Sequence, residues 1–309
     1  MGFGVLHITN GNNLTDYLND LKIEGDFLTW QEMFCEGPTT EEIETEGFFN
    51  LRKEFLSELY DIEIDEVELR SQLEVLDHTD QFEEIILWFE YDLFCHINLM
   101  AIINLLKQKK IQVPLYLVCS GRVKGEKDLK ALPELEPDQL RKEYEGKIKL
   151  NEEDIELMSS LWQIYCGSDH NLFKPFIIQK SSYPYLSNCL KAHLERFPDS
   201  ITGLSTLETH TLHMISDQKI TSKRHLLGYI LNFQGYYGYA DLQIEKIIDR
   251  LAIFYIQEEQ QIVLNQKGQD VLAQKTNFSS ELPSKMIYGG VNKNDFQFSR
   301  AENKLIKAN

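Results

Sequence analysis

The chain has few cysteines, few cations and no long apolar run, and each shortage excludes something. Its five cysteines are Cys35, Cys95, Cys119, Cys166 and Cys189, and no two stand closer than 23 positions. That odd count and wide spacing exclude a C-x-x-C knuckle and suggest no secreted disulfide framework. The longest uncharged apolar stretch, Leu93–Leu106, has 14 residues. It suits a buried helix and is too short to span a bilayer. No basic residue precedes Lys22 and no signal-peptide core is present, so a soluble, cytoplasmic protein without a membrane partner is expected. With 31 Lys and Arg against 49 Asp and Glu, the net charge is −18. Such a field repels nucleic acid and anionic lipid. Common reaction motifs are missing too: there is no G-x-G-x-x-G, H-E-x-x-H, EF-hand loop or G-x-S-x-G. Gly121–Lys127 lacks the spacing and the Lys-Ser/Thr ending of a phosphate loop.

What is present is an ordinary globular composition, 42% hydrophobic and 26% charged over 309 residues, enough for two or three domains. The charge is uneven. Residues 1–120 carry 7 basic and 24 acidic side chains, and the rest carry 24 and 25. That asymmetry marks an acidic domain joined to a near-neutral remainder.

Apolar runs at Val5–Ile8, Asp26–Trp30, Glu84–Phe89 and Val113–Cys119 read as strands. They alternate with amphipathic or buried helices at Leu14–Leu21, from Thr39-Thr40-Glu41-Glu42 to about His78, and after Asp92. This is the pattern of an open, parallel-type α/β sheet with flanking helices. We therefore assign residues 1–125 to an acidic α/β domain and 126–200 to a helical middle region. Residues 201–276 read as three helices, a two-stranded hairpin and a closing helix, a winged-helix-like unit. Residues 277–309 read as a C-terminal extension.

In open α/β sheets, ligands bind beyond the carboxyl ends of the strands. Four loops qualify, beginning at Thr9, Trp30, Phe89 and Ser120. Asn10, Gly11 and Asn12 precede a helix, where backbone N–H groups can hold an anion. Glu32 and Glu36 lie ahead of Gly37-Pro38, and Glu90 and Asp92 flank Tyr91. His7 lies just inside the first strand. Converging carboxylates could hold a divalent metal through oxygen, or keep one proton for acid–base work. Catalytic roles thus fall to Glu90, Asp92 and His7, and ligand binding to Asn10, Gly11 and Glu36; a metal would sit on Glu90 and Asp92. Each has a structural reading as well: Asp92 as a helix N-cap, His7 as a satisfied core histidine, Glu36 as a turn residue. His210 and His213 share a helix face, with no third ligand in view.

The winged-helix-like unit invites a DNA reading, but residues 203–275 carry 7 basic against 8 acidic side chains. Its third helix and its Glu258-Glu259 wing would meet phosphates with acid. Nucleic acid is therefore not expected, and a protein partner suits this region better.

Three strings resemble the bacterial family called domain of unknown function 1835. They are His7-Ile8-Thr9-Asn10-Gly11, Trp30-x-Glu32-x-x-x-Glu36-Gly37-Pro38 and Leu87-Trp88-Phe89-Glu90-Tyr91-Asp92-Leu93. The likeness covers about residues 5–125. Phe197-Pro198, Gly203-Leu204-Ser205, Glu208 and Tyr288-Gly289-Gly290-Val291 resemble the region C-terminal to that domain in its longer members. Asn12 departs from the resemblance, standing where an acidic residue commonly comes after Asn-Gly. The family has no established activity, so the resemblance implies the domain boundary and the choice of loops, and no reaction. The expected function is small-molecule or phosphate-ligand binding, or metal-assisted hydrolysis or transfer. The alternative is a non-enzymatic regulator acting through its winged helix.

Overall fold

The protein, seen in a computed structural model that describes residues 4–308, is built around a five-stranded sheet. The expected strands form as β1 (Gly4–Thr9), β2 (Asp26–Thr29), β4 (Phe82–Trp88) and β5 (Leu115–Val118), all parallel. Between them β3 (Gly37–Pro38) belongs to a different sheet. The order is β2-β1-β4-β5-β6, with β6 (Ile148–Lys149) antiparallel at the edge. Side-chain alternation gives two apolar faces. Leu6, Ile8, Ile85, Leu87 and Phe89 join one core, while Ile86, Trp88 and Val118 join the other.

Helix α1 (Asn12–Asp20) comes after β1, and α2 (Glu46–Tyr60) and α3 (Glu66–Leu73) lie between β3 and β4. The spacing of Thr39–Glu42 predicts that this helical region opens there, but α2 starts later. Its cap is Thr45, whose side chain accepts from Phe48 N. Pro38 and the backbone pairing of β3 hold the preceding segment extended. Asp92 does cap α4 (Leu93–Gln108), accepting from Cys95 N at 2.8 Å. Helix α4 is buried along almost its whole length, because α6 (Glu152–Cys166) covers the side that the sheet leaves open.

Helix α5 (Pro137–Glu145) leads into β6, and α7 (Lys174–Ile177) and α8 (Leu186–Glu195) come after α6. The next unit has α9 (Thr206–Asp217), α10 (Lys223–Phe233) and α11 (Asp241–Arg250). Then come the antiparallel pair β7 (Tyr255–Glu258) and β8 (Gln261–Leu264), and α12 (Gln266–Leu272).

The segment read as a C-terminal extension folds back. Strands β9 (Ile287–Gly289) and β10 (Val291–Asn292) form a hairpin, and β9 pairs in parallel with β3, Gly37 opposite Tyr288. A last hairpin, β11 (Phe296–Ser299) and β12 (Lys304–Lys307), docks beside residue 199. One contiguous buried cluster runs from Leu6 in β1 to Leu305 in β12. Among the described residues no helix is long and apolar enough to cross a membrane.

Candidate functional site

The strand order reverses between β1 and β4, so the loops carrying Asn10 and Glu90 border the crevice where open α/β sheets take ligands. In this chain protein fills that crevice. Asn10 accepts from Asn98 Nδ2 at 2.8 Å and donates to Cys95 Sγ at 3.1 Å. The first N–H groups of α4, those of Leu93 and Phe94, donate to the carbonyls of Tyr236 and Tyr237. Gly238 sits at φ +68°, and a Cβ there would lie 2.1–2.6 Å from the Asp92 carboxyl atoms. The Gly235–Tyr239 loop therefore caps the sheet edge from outside.

Glu90, Asp92 and Cys95 do come together, with ligand atoms within 4.8 Å of one another. Burial, and for Glu90 the neighbouring Asp92 charge, raises both carboxyls above the ordinary range. Glu90 is half-buried and accepts from Leu132 N at 3.3 Å. His7 is not part of this group. It packs among Phe27, Trp88 and Tyr144, where Trp88 Nε1 donates to its Nδ1 at 3.0 Å and its Nε2 meets the Glu24 carbonyl at 3.2 Å. Both ring nitrogens are engaged, and burial lowers its pKa. Gly11, at φ +100°, is the half-buried N-cap of α1. His210 and His213 line a separate hollow with Asp217 and Tyr229, where no third donor closes on them among the described residues.

Glu36 leads elsewhere, to a cavity of about 360 Å³ between the α/β layer, α9, α11 and the C-terminal segment. The loop holding Glu36 is pinned by two buried guanidiniums. Arg52 donates to the carbonyls of Met33, Glu36 and Pro38, and Arg196 to that of Cys35. Gly37 is required here: at φ +89° a Cβ would lie 2.6 Å from Arg52 Nη1. Tyr60, at the end of α2, donates to Glu36 Oε2, and burial raises the Glu36 carboxyl. Glu32 is buried nearby and pushed up to about 7 by desolvation, which the Arg52 charge only partly offsets.

Across the cavity, Glu208 is 1% exposed and accepts from Ser205 N at 2.7 Å. Lys293 Nζ lies 3.2 Å from its Oε1. Arg250 Nε lies 3.0 Å from the same oxygen as an ion pair, with its N–H misaligned for a hydrogen bond. Burial alone would raise Glu208, but Lys293 and Arg250 hold it down to about 2.

Arg196 differs from these paired groups. It is 2% exposed, forms no salt bridge among the described residues, and lies 3.7 Å from the Tyr288 ring centroid. Its Nε and the Tyr237 hydroxyl, both on residues that line this cavity, are buried without a hydrogen-bond partner among the described residues. Lys246 and Lys285 add charge, so five cations line the space against Glu36, Glu208 and Glu281. A donor-rich, net-positive hollow in a chain of net charge −18 suits an acceptor-rich anion.

Of this set, sequence reading reached only Glu36 as a site residue. Glu208 entered only with the C-terminal resemblance, and nothing in sequence marked Arg196, Tyr237, Gln243 or Lys293. Compared with known proteins, the chain matches no family model and no curated protein.

Proposed function

We propose that this protein binds a small molecule bearing a phosphate or carboxylate group in the cavity around Arg196. The observation that carries this reading is a buried guanidinium that forms no salt bridge among the described residues, on a side chain lining an open space and with its Nε–H unused. A buried charge without a counter-ion is costly, and a ligand anion would supply one. The Glu36–Tyr60 pair, with a raised carboxyl, would place a proton source beside that anion. Hydrolysis or group transfer is the reaction class this arrangement favours. On this reading α9–α11 with β7–β8 form a winged-helix-like unit that walls the cavity, contributing Gln243, Ile247 and Arg250, and reads no DNA. A cytoplasmic location and kinship with the domain of unknown function 1835 family belong to the same proposal.

The test is a thermal-shift series on the full chain with inorganic phosphate, sulfate and citrate, beside Arg196→Met. A ligand at about 100 times its Kd adds about 2.7 kcal/mol of stability, a Tm rise of several degrees. Stabilisation of the wild type and none of R196M supports the proposal. Equal shifts in both proteins, or none in either, overturn it.

A second, smaller reading concerns a divalent ion. Glu90, Asp92 and Cys95 converge, and Glu90 reaches solvent. Manganese or zinc should then raise the Tm of the wild type and leave Glu90→Gln unmoved; equal response in both removes this reading.

A further inference from the structure

The geometry points to His193 and His170 as positioning residues that hold Arg196 toward the cavity, an inference that rests on the cavity taking an oxyanion. The three side chains form one buried line. Arg196 Nη2 lies 2.7 Å from His193 Nδ1, His193 Nε2 lies 2.9 Å from His170 Nδ1, and His170 Nε2 lies 2.9 Å from the Tyr165 carbonyl. His193 is 0% exposed and His170 1%.

Only one arrangement of protons on two neutral rings satisfies all three contacts. Guanidinium donates and cannot accept, so His193 Nδ1 is the acceptor and its proton is on Nε2. That proton donates to His170 Nδ1, which places the His170 proton on Nε2, aimed at the carbonyl. Every bond runs the same way, from the cation at the cavity toward the backbone. Burial lowers the pKa of both imidazoles, and the Arg196 charge lowers them further, which keeps the rings neutral and the direction fixed.

The consequence concerns Arg196. Its Nη1 is held by the Cys35 carbonyl, and its Nη2 by His193 and, at 3.3 Å, by the Tyr165 hydroxyl. With both ends of the fork fixed by neutral acceptors, the plane lies against Tyr288 and Nε is left over. A carboxylate in place of His193 would hold the fork equally well, but it would neutralise the charge that a ligand needs. Two histidines in series orient the cation and leave its charge uncompensated. Phe173, Phe197 and Tyr288 pack around His193 and exclude water from the line.

The experiment compares His193→Leu, which removes the acceptor, with His193→Asn, which keeps an oxygen near the Nδ1 position. Two readouts are taken on the full-length chain. One is the affinity for inorganic phosphate by calorimetry; the other is the NMR signal of the Arg196 guanidinium protons. The expected result is about a tenfold weaker affinity in H193L, the effect of one charge-assisted hydrogen bond, with most of the loss restored in H193N. The guanidinium protons should be protected in the wild type, averaged in H193L and protected again in H193N. Unchanged protection in H193L overturns the inference, as do equal losses of protection in both variants. Intact protection behaviour with no phosphate binding to the wild type would instead strike the proposed ligand, leaving His193 as the residue that orients Arg196.

Discussion

The crevice at the sheet edge and the cavity around Arg196 are built from similar materials and end in opposite states. Both collect buried carboxylates next to a helix terminus. At the edge, the Gly235–Tyr239 loop supplies carbonyls to the first N–H groups of α4 and seats Gly238 on Asp92, so the helix start is satisfied internally. In the cavity, Glu208 is satisfied by Lys293 and Arg250, while Arg196 forms no salt bridge among the described residues and keeps its Nε–H free. Carboxylate clustering alone therefore does not mark a site. Unused donors around an open volume are the better sign.

The largest effect is expected at Glu208. Replacing it with Gln leaves Lys293 and Arg250 without their buried counter-charge, and breaking such a pair costs about 3–5 kcal/mol. Urea denaturation at pH 7 checks this. The depressed carboxyl sets the sign with pH. Its contribution is present above its unfolded value, near 4.5, and fades as pH falls toward about 2. The gap between wild type and E208Q should therefore close on acidification through that window.

A smaller effect is expected at Gly238. Alanine there costs about 1–2 kcal/mol for the left-handed backbone and must displace the Asp92 carboxyl as well. If G238A melts like the wild type, the loop does not seal the edge, and the crevice regains its claim as a ligand site.

The smallest effect is expected at Glu90, and it has the opposite sign. A carboxyl raised by burial and by Asp92 takes up a proton on folding, so its ionisation opposes folding as pH rises above the ordinary carboxylate range. Glu90→Gln should then gain about 2 °C in Tm at pH 8 and lose that advantage near pH 5. An equal or lower Tm at pH 8 would show that Glu90 is held as a paired anion.

Local pattern carried a large part of the fold. The four parallel strands, the Asp92 cap and the hairpin at residues 255–264 were all legible, because periodicity and capping act over a few residues. The start of α2 was not. Thr39–Glu42 has capping-box spacing, but β3 pairs with a strand some 250 positions later, and no local rule contains that partner. The candidate site divides in the same way. Glu90 and Asp92 stood out because acid after an apolar strand is locally odd, and they do meet in space. His7 was read from its strand position alone, and the group that engages its ring, Trp88, comes from the neighbouring strand.

Short windows of sequence were enough to set the four parallel strands, most of the helices, the acidic balance of residues 1–120 and the loops at the strand ends. Side-chain period, capping chemistry and charge are each written within such a window. Which loop end stays open was decided only by tertiary structure. Arg196, Glu208, Lys293 and Tyr60 come from four different elements, and only packing leaves Arg196 without a salt bridge among the described residues. A residue's lack of a partner is a property of everything folded around it.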